Sequence, residues 1–283
     1  MKIQEIRTML RRRLEEAGIE SADTEIWLML EAVLKITRAD YFMQPDRELG
    51  EEEIRKLCFM ADKRVEHFPI QYLTGETEFM GYPFLVNRSV LIPRQDTECL
   101  VEEAVREVRE MISRRSGQVI RVLDLCTGSG CIGISVKLFC PETEVILSDL
   151  SPDALSVAGE NARRLNAPVE IIHGDLFENI GGKFDVILSN PPYIPTKDIE
   201  ELMPEVRDYE PAMALDGDAD GLKFYRNIIG SGGDYLNRDG RLIMEIGAWQ
   251  GKDVASMLRE AGYRDIRILP DLAGLDRVVR AIH

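Results

Sequence analysis

Residues Val119-Ile120-Arg121-Val122-Leu123-Asp124-Leu125 run straight into Cys126-Thr127-Gly128-Ser129-Gly130, and a helical pattern follows from Cys131 to Phe139. This leaves few folds open. A short, mostly apolar and β-branched run reads as a strand buried on both faces, which happens when a parallel sheet is covered by helices. A glycine-containing turn leading into a helix N-terminus lets main-chain N–H groups come close to a ligand. Strand, turn and helix together form the first unit of a nucleotide-binding α/β sheet. Gly128, Gly130 and Gly133 also satisfy the G-x-G-x-x-G spacing, although that match alone is weakly specific.

Further units follow in order. Glu144-Val145-Ile146-Leu147-Ser148-Asp149 reads as a second strand, and Asp149 at its end is placed to bind ribose hydroxyls. Pro152 suits the first turn of the next helix, which runs to about Leu165. Val169-Glu170-Ile171-Ile172 is a third strand, after which Asp175 can reach an adenine amino group with Leu176 against the ring. His173 is read as a loop histidine. Phe184–Ser189 and Arg241–Ile246 add strands around a helix of 222–236, with a short helix expected over 198–206. A helix of 251–261 and strands near 263–268 and 276–282 complete seven strands, the last two forming an edge hairpin. The cluster Asp216-Gly217-Asp218-Ala219-Asp220-Gly221 lacks calcium-loop spacing and a terminal Glu, so it is read as a turn. No metal site is expected.

The strand ending at Ser189 stops at Asn190-Pro191-Pro192-Tyr193. Two consecutive prolines cannot donate to a ladder, so a stiff loop must follow at the carboxyl end of the strand, where α/β sheets bind ligands. Asn190 offers an amide oxygen, the proline pair offers carbonyl oxygens, and Tyr193 offers a π face. Together they make a slot for a planar group bearing NH2. Two acceptors gripping such hydrogens favour pyramidalising a delocalised nitrogen and aim its lone pair at an electrophile. If that electrophile is a methyl sulfonium, transfer needs mostly positioning.

The N-terminal part has a different character. Residues 2–17, 22–36 and about 50–67 read as helices, and residues 1–68 as a small helical bundle suited to holding a macromolecular partner or to stabilisation alone. Residues 69–96 read as a connector with a β-hairpin turning at Gly81, and 97–283 as the α/β domain, opened by a helix of 97–112. The connector can also form one wall of the site, with Arg94, Asp96 and Glu98 alternatively read as simple helix-entry charges. A chain of 283 residues, 45% apolar, can bury two cores. Its net charge of −15 argues against broad binding to a phosphate backbone. Five cysteines without CxxC pairing fit reduced thiols rather than a disulfide or zinc framework. No apolar run approaches the ~18 residues of a membrane span. A cytoplasmic monomer is the expectation.

The ordered set Pro69–Gly75, Leu91-Ile92-Pro93-Arg94, Asp124–Gly130 and Asn190–Tyr193, with Glu210-Pro211 before Ala214-Leu215 and with Gly221-Leu222, resembles the HemK/PrmC family of peptide chain release factor glutamine N5-methyltransferases. The resemblance spans essentially the whole chain. It implies a seven-stranded Rossmann-like domain that uses S-adenosylmethionine to methylate the side-chain amide nitrogen of the glutamine in the Gly-Gly-Gln motif of release factors. On this resemblance Cys126 and Thr127 to Gly130 line the methionine part of the cofactor, with Asp149 on the ribose and Asp175 and Leu176 at the adenine. Asn190, which also borders the cofactor, and a carbonyl of Pro191 or Pro192 hold the glutamine NH2, with Tyr193 on the amide plane. Cys126 stands where many members have glycine, and Gln95 where many have proline.

Three alternatives remain. An amino-methyltransferase of adenine or cytosine would use the same loop but normally needs base flipping and a basic surface. A dehydrogenase explains Asp149 and the Gly-rich turn but not Asn190 to Tyr193. A non-catalytic module could dock to translation factors with the fold retained.

Overall fold

The computed structural model describes residues 1–115 and 117–283. Five helices come first: α1 (Ile3–Glu16), α2 (Ala22–Leu34), α3 (Arg38–Met43), α4 (Glu51–Val65) and α5 (Ile70–Thr74). Next come β1 (Glu76–Phe79), β2 (Tyr82–Leu85), α6 (Glu98–Arg114), β3 (Arg121–Leu125), α7 (Cys131–Phe139), β4 (Glu144–Asp149) and α8 (Pro152–Arg164). The rest is β5 (Glu170–His173), β6 (Phe184–Ser189), α9 (Pro204–Arg207), α10 (Lys223–Tyr235), β7 (Leu236–Glu245), α11 (Gly251–Glu260), β8 (Arg264–Pro270) and β9 (Asp276–Ile282). Two compact units result: Met1–Glu76 with Met203–Tyr209, and Thr77–Leu202 with Glu210–His283.

In the helical unit, Ile3, Ile6, Leu10 and Leu14 recur at intervals of three and four and are fully buried, so α1 presents one apolar stripe to Ile26, Leu30 and Leu57. Three long helices match the sequence reading, and α3 and α5 are additions. Each is too short to carry a helical period. Thr37 starts α3 through a reciprocal cap, its Oγ1 accepting from the Asp40 N–H at 3.2 Å while the Asp40 carboxylate accepts from the Thr37 N–H at 2.9 Å. Ile70 joins the helical core, so α5 packs with this unit. One buried charge needs partners here: the Arg64 guanidinium bonds Glu25 at 2.6 Å and Glu205 at 2.9 Å.

The second unit opens on the expected hairpin. Met80 and Gly81 both have positive φ (53° and 78°), the two-residue turn whose twist matches paired strands. The main sheet has the order β5-β4-β3-β6-β7-β9-β8, and β9 runs antiparallel to both neighbours. Side chains alternate between its two cores. Along β3, Val122 faces one cluster while Leu123 and Leu125 face the other; along β6, Val186 and Leu188 oppose Ile187. Three details differ from the sequence reading, the first being that His173, read as a loop histidine, is the last residue of β5 and pairs with Asp149. Strand β7 begins at Leu236, because Phe184 pairs with it despite the polar residues Asn237, Arg238 and Asp239. The helix expected over 198–206 is a 3-10 turn at Thr196–Glu201 followed by four-residue α9. Pro204 at the first helical position starts α9 afresh.

Chain order leaves β3 toward β4 and β5 on one side and toward β6 and β7 on the other. The order therefore reverses between β3 and β6, and the crevice beyond their carboxyl ends is where such sheets take ligands. Leu125 and Ser189 are register partners, so the Gly-rich turn and the Asn-Pro-Pro-Tyr loop leave the sheet side by side.

Candidate active site

At that switch point lies a cleft with a cavity volume of about 120 Å³. One wall is the turn after β3. Cys126 is held at φ 56°, a left-handed conformation that costs a residue with a Cβ roughly 1–2 kcal/mol. The turn holds because its polar groups are tied down. The Thr127 N–H donates to the Ser148 carbonyl at 3.0 Å, and its hydroxyl donates to Asp124 at 2.5 Å. Asp124 also accepts from the Gly133 N–H at 3.0 Å. It is fully buried with Oδ1 unpartnered, and burial pushes its carboxyl up to about 7 against the pull of those two donors. At Gly128 φ is +56°, and a Cβ there would meet nothing within 4 Å, so the main chain stands bare to open space.

The opposite wall comes from β4 and β5. Asp149 accepts the N–H groups of Gly128 at 2.8 Å and Ser151 at 2.9 Å, and burial raises its carboxyl. A carboxylate has about four lone-pair sites, which leaves roughly two for hydroxyl donors. Leu176, also left-handed at φ 50°, lines the cleft with Leu150, Ile132 and Phe224, a set suited to a flat ring. Asp175 stands beside it with an exposed carboxylate. Carboxylates for hydroxyl and amino donors, apolar faces for a ring and a bare glycine turn fit the parts of S-adenosylmethionine.

The third wall follows β6. The Ser189 hydroxyl donates to the Leu125 carbonyl at 2.9 Å and locks the two strand ends together. Asn190 lines the cleft, and its Nδ2 donates to the Thr97 hydroxyl at 3.5 Å. Among the described residues, no main-chain N–H bonds the carbonyl of Pro191 or Pro192. Of the residues singled out in the sequence, Cys126, Thr127, Gly128, Ser129, Asp149, Asp175, Leu176, Asn190 and Pro192 line the cleft. Gly130, Pro191 and Tyr193 lie outside its lining. Gly130 is packed against Ile134, Ala158 and Leu147. The Tyr193 ring packs against the core beneath α10 and α11, and its hydroxyl donates to Glu245 at 3.4 Å. Burial, with the Glu245 charge next, pushes the phenol well above its ordinary range.

Several site groups escaped the sequence reading. Thr97 and Gln250 are buried polar side chains without a local motif. Glu245 follows the apolar run Leu242-Ile243-Met244 at the end of β7, and a carboxylate closing such a run was the available signal. The connector, read from sequence as a candidate wall of the site, does line the cleft with Leu91, Pro93 and Arg94, and what the sequence could not show is that Arg94 bonds Glu210 at 2.6 Å, 116 positions away. Burial raises the Glu210 carboxyl while Arg94 pulls it back.

The chain is similar to known proteins over nearly its whole length. Residues 5–75 match the PrmC N-terminal domain family and residues 106–205 the methyltransferase small domain family. A release factor glutamine methyltransferase of Geobacter sulfurreducens is 41% identical over 278 residues, covering 98% of this chain and 95% of the relative. One of Clostridium acetobutylicum is 39% identical over 287 residues, covering 100% and 99%. Among solved structures, the hMettl16 catalytic domain in complex with an MAT2A 3'UTR hairpin aligns with a TM-score of 0.55 at 14% identity, over 82% of this chain and 81% of that one. The T. thermophilus 16S rRNA N2 G1207 methyltransferase, in complex with AdoMet and guanosine, aligns at 0.50 with 14% identity, over 73% and 49%. Those two share the fold. By near-complete sequence correspondence with its relatives, the chain belongs to the release factor glutamine methyltransferase family.

Proposed function

We propose that this enzyme transfers a methyl group from S-adenosylmethionine to the side-chain amide nitrogen of the glutamine in the Gly-Gly-Gln motif of peptide chain release factors, and so modulates translation termination. The observation that carries this reading is the pairing of Leu125 with Ser189, which sets a cofactor-type turn beside an amide acceptor loop at the switch point. When bound, S-adenosylmethionine supplies a methyl group on a sulfonium, an electrophile that needs an aimed lone pair more than a strong base. Asp149 holds ribose hydroxyls with its remaining lone pairs, Asp175 takes the adenine amino group and Leu176 packs on the ring. The turn from Cys126 to Gly130 surrounds the methionine part.

Asn190 Oδ1 and a carbonyl of Pro191 or Pro192 accept the two N–H bonds of the glutamine amide. Such acceptors favour a nitrogen whose lone pair has left conjugation, which stabilises the transition state more than the ground state. Tyr193 stands beside the cleft lining, and packing of its ring on the amide plane belongs to the same proposal. We read the protein as a cytoplasmic monomer: its net charge of −15 favours solubility without association, and its five cysteines are free thiols. Among the described residues, no helix is long and apolar enough to cross a membrane.

The test is transfer of labelled methyl to purified release factor, beside the factor with its Gly-Gly-Gln glutamine replaced, and beside DNA and RNA. Label on the intact factor alone is expected, and label on nucleic acid would overturn the acceptor. Asn190→Ala should hold cofactor within about threefold and lose about 100-fold or more in turnover. Turnover near wild type would refute the amide grip.

A further inference from the structure

The carboxyl end of the sheet carries more than the cleft. Val278 near the start of β9 pairs with Glu245 at the end of β7, and Asp276 pairs with Pro270, so the turn between β8 and β9 opens on the same end as the Asn-Pro-Pro-Tyr loop. With neighbouring strands about 4.8 Å apart, the order β6-β7-β9-β8 puts that turn about 10–15 Å from the end of β6. The turn is tied down. The Asp271 side chain, 2% exposed, accepts from the N–H groups of Ala273 at 2.9 Å and Leu275 at 3.0 Å, while its own N–H donates to the Leu275 carbonyl at 2.8 Å. Yet Leu272 is fully exposed and Leu275 is 51% exposed. An ordered turn thus holds two apolar side chains in water, where they add little to the core.

Bonded links join this turn to the mouth of the cleft. Arg277 pairs with Asp271 at 3.0 Å and with Asp96 at 3.3 Å, and Asp96 directly precedes Thr97 of the cleft lining. On the β7 side, a Cβ on Gly251 would stand 2.5 Å from the Asp276 carboxylate, so the start of α11 meets the start of β9. Trp249, two residues before Gly251, is 64% exposed. Gln250 ties the Trp249 loop to the Tyr193 carbonyl at 3.0 Å. Trp249, Leu275 and Leu272 therefore form an apolar rim that runs outward from the cleft. Single apolar residues on a surface need no explanation, but a fixed group of them beside a cleft marks an interaction site.

We propose that this rim docks the release factor domain that carries the Gly-Gly-Gln loop, by taking apolar side chains that flank the loop. The proposal rests on the reading of a release factor as the acceptor. A glutamine that enters the cleft brings its domain over the mouth, and a specific protein complex buries about 800 Å² on each partner, more than one side chain in a slot supplies. Tryptophan is among the side chains on which such interfaces most depend. Asp271 and Gln250 already order the turn and the loop, so docking has little left to fix. A nucleic acid would instead meet an apolar rim on a chain of net charge −15, which offers its phosphates nothing.

The experiment measures kcat and KM for purified release factor, cofactor Kd and sedimentation for wild type, Trp249→Ser and Leu272→Ser, and repeats the kinetics with a short peptide spanning the Gly-Gly-Gln loop. Leu272 is fully exposed, so its replacement leaves folding intact. KM for the factor should rise about 10- to 30-fold in Trp249→Ser and about 3- to 10-fold in Leu272→Ser. Turnover at saturation and cofactor Kd should stay within about twofold, and the peptide kinetics should not change. An unchanged KM for the factor in both variants would overturn the docking. An equal rise in KM for the peptide would overturn it as well, since the two residues would then touch the loop itself. A wild-type dimer that the variants dissociate would assign the rim to a second copy of the chain, against the proposal. Wild type that methylates no release factor would remove the acceptor reading itself, whereas wild type active on the factor beside equally active variants would remove only the rim.

Discussion

Replacing Gln250 with methionine keeps a side chain of nearly the same length and deletes one amide that serves three main-chain groups. Its Nε2 donates to the carbonyls of Tyr193 at 3.0 Å and Gly221 at 3.1 Å, and its Oε1 accepts from the Gly247 N–H at 2.9 Å. The side chain is 1% exposed. Little room exists for a replacement water, since even a Cβ on Gly221 would stand 2.3 Å from the Tyr193 carbonyl oxygen. An unpaired buried group costs about 1–3 kcal/mol, so three such groups give roughly 4 kcal/mol when taken near the low end of that range. For a domain of this size that lowers Tm by about 8–16 °C. Because the lost bonds anchor Tyr193 and not the cofactor turn, cofactor Kd should stay within about threefold while kcat falls about tenfold. Calorimetry, cofactor titration and methyl-transfer assays read the three quantities. A Tm drop below about 3 °C would refute the claim that these groups are left unpaired.

Two other perturbations probe buried charge. Asp124 has its carboxyl raised from 3.8 to about 7 in the folded protein, so between those values the folded state holds a proton that the unfolded chain releases, and stability falls as pH rises. Asp124→Asn keeps an acceptor for Thr127 and for Gly133; it should melt like wild type near pH 4 and higher than wild type near pH 8. Melting below wild type at the higher pH would contradict the reasoning. Glu25→Leu leaves Arg64 with Glu205 alone in a site where the Arg64 and Glu25 side chains are 7% and 8% exposed. Denaturant unfolding should read a loss of about 3 kcal/mol, and a loss below about 1 kcal/mol would mean the pair is solvated.

The pattern of the sheet was legible because each parallel strand is a short apolar run bounded by turn chemistry. Val119 to Leu125 and Phe184 to Ser189 declare buried strands without reference to anything distant, and the glycines and prolines that follow them mark where ligand-facing loops begin. The short helices α3 and α5 were not legible, since six and five residues cannot display a period. The polar start of β7 was not legible either, because only pairing with Phe184 makes those residues a strand. Tyr193 read as a wall of the slot; the sequence did not show that its ring also packs on the neighbouring core and that its hydroxyl reaches Glu245.

By itself, then, the order of residues determined the α/β class, the two loops and the residue types they bring to a ligand, because consecutive residues encode periodicity and turn chemistry. The tertiary structure decided which buried polar groups meet: Thr97 with Asn190, Arg94 with Glu210, Gln250 with Tyr193. Those pairs span 93, 116 and 57 positions of the chain. No local pattern announces them, since a hydroxyl, carboxylate or amide gains its partner only when strand order and register place two distant segments together and burial removes the water that would otherwise serve.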